Sequence, residues 1–392
     1  MPRLRFPGFE GEWESFRAES LFAPVVDKNH PQEEVLTIIQ GFGTVPRKDS
    51  GRIIRFDAAS VKTYKKVQKG DFIIHLRSFE GGLEKANEDG IVSPAYTILR
   101  SKHPIEVLYY DAYFHTDRFI NHVLAKTVEG IRDGRQISYE AFKWLPIPRC
   151  QIGEQKKIGK FLSCLDSRIT AQRKLVELLK KHKRGVIEQI FGRRLPIGDN
   201  PEKWELVKLR DLFKKVVRRN RDGKVKNVIT NSAEYGLIPQ RNFFDKSIAV
   251  DGNTDGYYVI RTGDFVYNPR KSATAPFGPF NRYTGENDGI ISPLYTCLVL
   301  AGKANPDYLA WYFRSTAWHR HVYDNGSQGA RHDRVNMTDD LLFGIPVLLP
   351  PGNIQTWIAD MLNSINARVS DADKALTQLE TMKRGLLQQL FA

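Results

Sequence analysis

Between residues 158 and 190 apolar side chains recur at alternating spacings of four and three. The positions are Ile158, Leu162, Leu165, Ile169, Gln172, Val176, Leu179, Lys183, Val186 and Ile190, eight of ten apolar. Two hundred residues later the same register reads Ile358, Leu362, Ile365, Val369, Ala372, Leu376, Leu379, Lys383, Leu386 and Leu390, nine of ten. A 3.5-residue period held for about five heptads marks a coiled-coil seam. Each run follows a proline-marked entry, "LPIPRCQIGEQ" and "IPVLLPPGNIQ", and proline suits a helix start but not its interior. The pattern predicts two long helices. A single apolar stripe is as often a local packing surface, but two matching stripes in one chain provide each other with a partner. The pairing expected is intramolecular and antiparallel, because the first helix leads away from one globular region and the second returns from another. About 38 residues at about 1.5 Å each would make a rod of about 57 Å.

Elsewhere the heptad pattern gives way to short apolar stretches. "GDFIIHL", "GIVSPAYTILR", "GDFVYNP" and "GIISPLYTCLVL" are short, rich in β-branched and aromatic residues, and bounded by Gly, Asp, Asn and Pro, which predicts strands. "TDRFINHVLAKT" and "PDYLAWYFRSTAWHRHVY" predict helices. These stretches come in pairs. Gly70-Asp71-Phe72 reappears as Gly263-Asp264-Phe265, and "IVSPAYTIL" at 91–99 as "IISPLYTCL" at 290–298. An offset of 199 carries Gly130, Arg132 and Arg135 onto Gly329, Arg331 and Arg334, and an offset of 200 carries "KRGVIEQIF" onto "KRGLLQQLF". The chain is two copies of one unit. The expected fold class is α+β, with a pseudo-two-fold internal repeat: globular regions at 1–150 and 195–351, held apart by a central helix at 151–194 and a distal helix at 352–392.

Composition narrows the function. Cys150, Cys164 and Cys297 are scattered without a CxxC pattern, which argues against a disulfide framework and structural zinc. No leader-like or membrane-spanning apolar run is visible, so a cytoplasmic protein without membrane association is expected. The net charge is +14, and residues 151–194 hold 12 Lys and Arg against 4 acids, an excess of 8. Such a balance points to an acidic partner, of which nucleic acid is the commonest.

No catalytic set accompanies this charge. There is no G-x-x-x-x-G-K-[ST] loop and no G-x-G-x-x-G after a strand. Asn268-Pro269-Arg270 begins like the Asn-Pro-Pro-aromatic motif of amino-methyltransferases, but Arg270 replaces the second proline. What recurs instead is basic residues in glycine-punctuated loops. "HLRSFEGGLEK" and "YNPRKSATAPFG" each follow a GDF strand, and "EGIRDGRQIS" and "NGSQGARHDRVN" occupy the later matching place. Arg can address guanine or phosphate, and Asn or Gln adenine. The candidate DNA contacts are Arg77, Lys85, Arg132, Arg135, Asn268, Arg270, Lys271, Gln328, Arg331 and Arg334. Any one loop is more often a solvated turn; recurrence at equivalent places in both copies favours binding. A stand-alone DNA methyltransferase or nuclease with a duplicated recognition module would need a cofactor motif, and a coiled-coil adaptor would leave the basic loops unexplained.

The chain resembles the specificity (S) subunit of type I restriction-modification systems over its whole length. The residues carrying the resemblance are "HLRSFEGG" with "GIVSPAYTIL", "YNPRK" with "GIISPLYT", and the helix endings "KRGVIEQIF" and "KRGLLQQLF". Ile354 departs from the glutamate that the family favours before Gln355, a change confined to a local polar contact. The resemblance implies two target recognition domains, each reading one half of a bipartite, asymmetric site in double-stranded DNA, with the helices setting the gap. It also implies a non-catalytic chain that docks two methyltransferase (modification) subunits and restriction/translocase subunits. No cofactor is expected in this chain; AdoMet, ATP and Mg would belong to the partner subunits.

Overall fold

In a computed structural model, residues 2–51, 58–130, 136–192, 204–240, 254–326 and 333–391 are described. The chain forms two compact units, residues 1–174 with 373–392, and residues 175–372. Each unit therefore holds one globular head and a stretch of both long helices.

The head of unit 1 is built on a four-stranded antiparallel sheet. Its strands are β1 (Phe22–Val25), β2 (Phe72–Ile74), β3 (Glu84–Lys85) and β4 (Thr97–Ser101), in the order β1-β4-β2-β3. Helix α1 (Val107–Phe114) packs on it, and helix α2 (Ile152–Phe191) follows. In unit 2 the matching strands are β5 (Phe213–Lys215), β6 (Phe265–Tyr267), β7 (Phe280–Arg282) and β8 (Thr296–Leu300), in the order β5-β8-β6-β7. Helices α3 (Pro306–Phe313) and α4 (Gly352–Leu390) complete the set. The repeat read in the sequence is thus a repeat of topology.

Aromatic rings fill equivalent places in the two cores. Phe72 lies 4.9 Å from Phe114 and 5.8 Å from Phe22; Phe265 lies 6.1 Å from Phe313 and 5.0 Å from Phe213. All six are buried, and each such ring removes a large apolar surface from water. The duplicated "SP" is a turn that carries the chain from a two-stranded pair into the central sheet. Tyr96 donates its N–H to the Ser93 carbonyl and Tyr295 to the Ser292 carbonyl, both at 3.1 Å. The serine hydroxyls accept from the N–H of Ala95 and Leu294, both at 3.3 Å.

Every one of the twenty heptad positions is buried or half-buried. In unit 1 Asp166 faces Lys383 and Arg173 bonds Glu380, its Nε at 3.0 Å; as one number rises the other falls, so the helices run antiparallel. The seam lysine is satisfied across the pair in both units: Lys383 by Asp166, and Lys183 by Asn366 at 3.0 Å. Asp166 and Asn366 are themselves repeat equivalents. Partial burial, with the nearby Arg314, Lys180 and Arg184 charges, lowers the Lys183 pKa, and its partner is a neutral amide rather than a carboxylate.

Two predicted helices come out differently. Residues Arg118–Val123 form a π turn that tightens into a 3-10 turn at Leu124–Thr127; the Thr116 hydroxyl accepts from Phe119 and the Arg118 guanidinium donates to the Phe391 carbonyl, so tertiary anchors set the path. The other breaks between α3 and a short helix at His319–Asn325. There the Ser315 hydroxyl donates back to the Tyr312 carbonyl at 2.6 Å and accepts from Ala317, a side-chain alternative to the helical ladder.

Candidate nucleic-acid interface

In unit 2, β6 runs into Asn268-Pro269-Arg270. Asn268 is buried; its Oδ1 accepts the Arg270 N–H at 3.0 Å and its Nδ2 donates to the Asn231 carbonyl at 3.2 Å. Lys271 donates its backbone N–H to the Asp333 carbonyl and Val335 to the Pro269 carbonyl, both at 2.9 Å, which sets Arg270 opposite Arg334. These bonds bring Asn268, Arg270, Lys271 and Arg334 together. Arg270 and Lys271 are exposed and Arg334 is half-buried, its Nε 3.7 Å from the Asp333 carboxylate. Arg270 and Lys271 border a groove floored by Asn231 and Tyr295. Burial pushes the Tyr295 phenol up, while the nearby Arg270 and Arg334 guanidiniums pull the other way. Asn268 thus builds the turn, and the arginines carry the charge.

Unit 1 repeats this turn with other residues. The His75 Nδ1 accepts the Arg77 N–H at 3.3 Å, as the Asn268 Oδ1 accepts that of Arg270. Arg77 is exposed and its Nε bonds Glu80 at 2.8 Å. The His75 ring lies 6.4 Å from that of Tyr96, and burial lowers its pKa. Lys85 on β3 is half-buried and ion-paired with Asp111 of α1. Its register equivalent on β7, Arg282, pairs with Asp307 of α3 at 2.7 Å. Lys85 therefore ties sheet to helix, and a phosphate would have to compete with Asp111 for it. Arg132, Arg135, Gln328 and Arg331 lie outside the described residues.

The duplicated aspartates of "GDF" are internal. The Asp71 carboxylate accepts from Arg100 at 2.9 and 2.7 Å, and Asp264 pairs with Arg218. One arginine sits on β4 and the other just past β5, so the same buried carboxylate is neutralised from two different places in the chain.

The helix entries hold a feature that sequence reading left unexplained. Gln155 donates from Nε2 to the Cys150 carbonyl at 2.8 Å and accepts the Glu106 N–H at 3.0 Å. Gln355 donates to the Pro350 carbonyl at 2.7 Å and accepts the Asn305 N–H at 2.8 Å. Each duplicated glutamine clasps the start of a long helix to the start of the head helix. Gly159 allows a close approach just beyond, since a Cβ there would lie 2.9 Å from the Tyr109 nitrogen. At position 154 the copies diverge. Glu154 is fully buried and accepts from Arg5 Nε at 2.9 Å and Trp13 Nε1 at 3.1 Å, whereas Ile354 packs against the apolar core.

Among the described residues no group of three His, Cys, Asp or Glu could hold a metal ion, and no helix is long and apolar enough to cross a membrane.

A doubled α+β head with paired long helices is the fold of the S subunits of type I restriction-modification systems, and comparison with solved structures shows this. The S subunit from M. genitalium matches with a TM-score of 0.56 at 13% identity, over 99% of this chain and 98% of that one. The HsdS subunit from Thermoanaerobacter tengcongensis matches with a TM-score of 0.50 at 16% identity, over 99% and 97%. In sequence, the chain is 25% identical over 315 residues, 74% of its length, to the protein assigned as the MjaX specificity subunit of a type I restriction enzyme in Methanocaldococcus jannaschii, covering 67% of that protein. It is 33% identical over 85 residues to the MjaVIII specificity subunit of the same organism, covering 20% of that protein. No family model matches. The resemblance drawn from the repeated motifs is shown by these likenesses.

Proposed function

We propose that this chain is the DNA-reading, non-catalytic subunit of a type I restriction-modification complex, each head reading one half of a bipartite site. One observation carries the reading. The heads share sheet, core, turn and helix clasp, but among the described residues the equivalent turn presents different basic groups, Arg77 in one and Arg270 with Lys271 in the other. A shared scaffold with divergent charged loops suits two readers of unlike sequence. The heptad helices set the gap between half-sites and dock two methyltransferase subunits, one for each copy of the repeat. Restriction/translocase subunits join that complex, and AdoMet, ATP and Mg belong to the partners.

Methylation mapping of host DNA with and without the gene tests this, followed by exchange of residues 1–150 for those of a relative. The expected result is a two-part methylated site of which one part changes and the other does not. Loss of no methylated motif on deletion, or change of both parts on exchange, overturns the reading.

A further inference from the structure

The hairpins that flank the basic loops end alike. In unit 1 the strands Leu36–Ile39 and Gly43–Pro46 enclose a three-residue tip, residues 40–42. In unit 2 the strands Ile229–Ser232 and Gly236–Pro239 enclose residues 233–235. The last tip residue is aromatic in both: Phe42 is 59% exposed and Tyr235 is 61% exposed. The next residue is a glycine with positive φ, Gly43 at 85° and Gly236 at 74°, the left-handed position that closes a three-residue hairpin loop.

Both hairpins are held at or next to the tip by a buried polar side chain from the same sheet position. Glu84 lies opposite Ile73, and Asn281 opposite Val266. The Glu84 carboxylate accepts the N–H of Gly41 at 2.6 Å and of Gly43 at 2.9 Å. The Asn281 amide donates to the Ser232 carbonyl at 3.1 Å and to Asn231 Oδ1 at 2.7 Å. Each ring is thus exposed on a backbone fixed beneath it.

Each tip also abuts the basic loop of its own head. Tyr235 shares a groove with Arg270 and Lys271. In unit 1 the Gln40 amide lies against Gly81, where a Cβ would sit 2.0 Å from it, on the turn that follows Arg77. An exposed ring on a tip that abuts a basic loop, in unit 2 sharing a groove with Arg270 and Lys271, matches duplex DNA, whose phosphates take the charge and whose bases offer apolar faces and methyl groups.

Resting on the DNA-reading proposal, we infer that Phe42 and Tyr235 are equivalent specificity contacts, each ring packing against a base within the half-site its head reads.

The test uses the full chain assembled with its modification subunits and duplexes carrying the methylated site mapped in the host. Phe42→Ala should weaken binding roughly tenfold, remove discrimination at one position in one half only, and leave the salt slope unchanged because no phosphate contact is lost. Tyr235→Ala should do the same in the other half. Phe42→Tyr and Tyr235→Phe, which keep a ring, should bind within a few-fold of the parent. The inference is overturned if the parent complex binds selectively and both alanine variants match it. It is equally overturned if a variant keeps DNA affinity but no longer assembles with modification subunits. A parent complex showing no sequence selectivity defeats the DNA-reading proposal itself.

Discussion

The ring of Phe391 lies 5.3 Å from that of Tyr109, although 282 positions separate them, and Phe191 lies 5.5 Å from Tyr308. Each long helix thus ends in the core of the head encoded by the other copy. The phrase "KRG" followed by a terminal phenylalanine is repeated because each helix must insert its last turn into a head core.

Removing the inserted ring should be felt in one head only. Phe391→Ala leaves a cavity beside Tyr109, Tyr113 and Trp13 and should cost about 3–5 kcal/mol. Hydrogen exchange should quicken in α1 while α3 keeps its protection. Equal acceleration in both helices would contradict separate packing of the two units.

Removal of either glutamine clasp leaves a buried carbonyl and a half-buried N–H without their side-chain partner. Gln155→Ala strands the Cys150 carbonyl, at roughly 1–3 kcal/mol for that buried group, and exposes the Glu106 N–H to water. Thermal unfolding should show a drop of several degrees, and Gln355→Ala should act likewise at Pro350 and Asn305. A variant melting with the parent would mean that water replaces the side chain.

The Glu84–His115 pair should make unit 1 sensitive to pH. Burial disfavours the charged His115 more than any single contact favours it, but the hydrogen bond and charge of Glu84 together with Asp111 outweigh it and raise its pKa above the ordinary 6.5. Burial likewise opposes ionisation of Glu84, yet His115 and the N–H groups of Gly41 and Gly43 hold it below the ordinary 4.5. The histidine contribution is full below its ordinary value and lost as pH rises through the raised one. The carboxylate contribution is present above its ordinary value and lost as pH falls through the lowered one. The pair therefore stabilises most between these ordinary values. Denaturant midpoints of His115→Gln against pH should show a flatter fall on the alkaline side than those of the parent; parallel curves would remove the pair from the account.

Lys160, Lys174 and Lys181 lie on the exposed side of α2. If they face DNA, replacing all three with glutamine should reduce the log-log salt slope of binding by up to about three units. An unchanged slope and intact assembly would leave these lysines as solubilising charge.

Periodicity and repetition were open to sequence reading because they are local. The heptad positions from Ile158 to Leu390 follow from spacing that the backbone enforces on neighbours, and the strands around "GDF" from their β-branched and aromatic composition. "GIVSPAYTILR" and "GIISPLYTCLVL" read as continuous strands, whereas the Ser-Pro turn divides each into two. Helix α1 escaped because "VLYYDAYF" is apolar at every position but Asp111 and so shows no stripe. Trp13 and Leu21-Phe22 match Trp204 and Leu212-Phe213, but at a different offset from the later motifs, which hid that part of the repeat. Tertiary structure decided which arginine neutralises each GDF aspartate, that Lys85 binds Asp111, and that Gln155 and Phe391 serve as clasps. It also placed Phe42 and Tyr235 at matching tips. Those contacts join residues tens to hundreds of positions apart, where partner choice depends on the closed geometry of a whole head and no short window of sequence contains both ends.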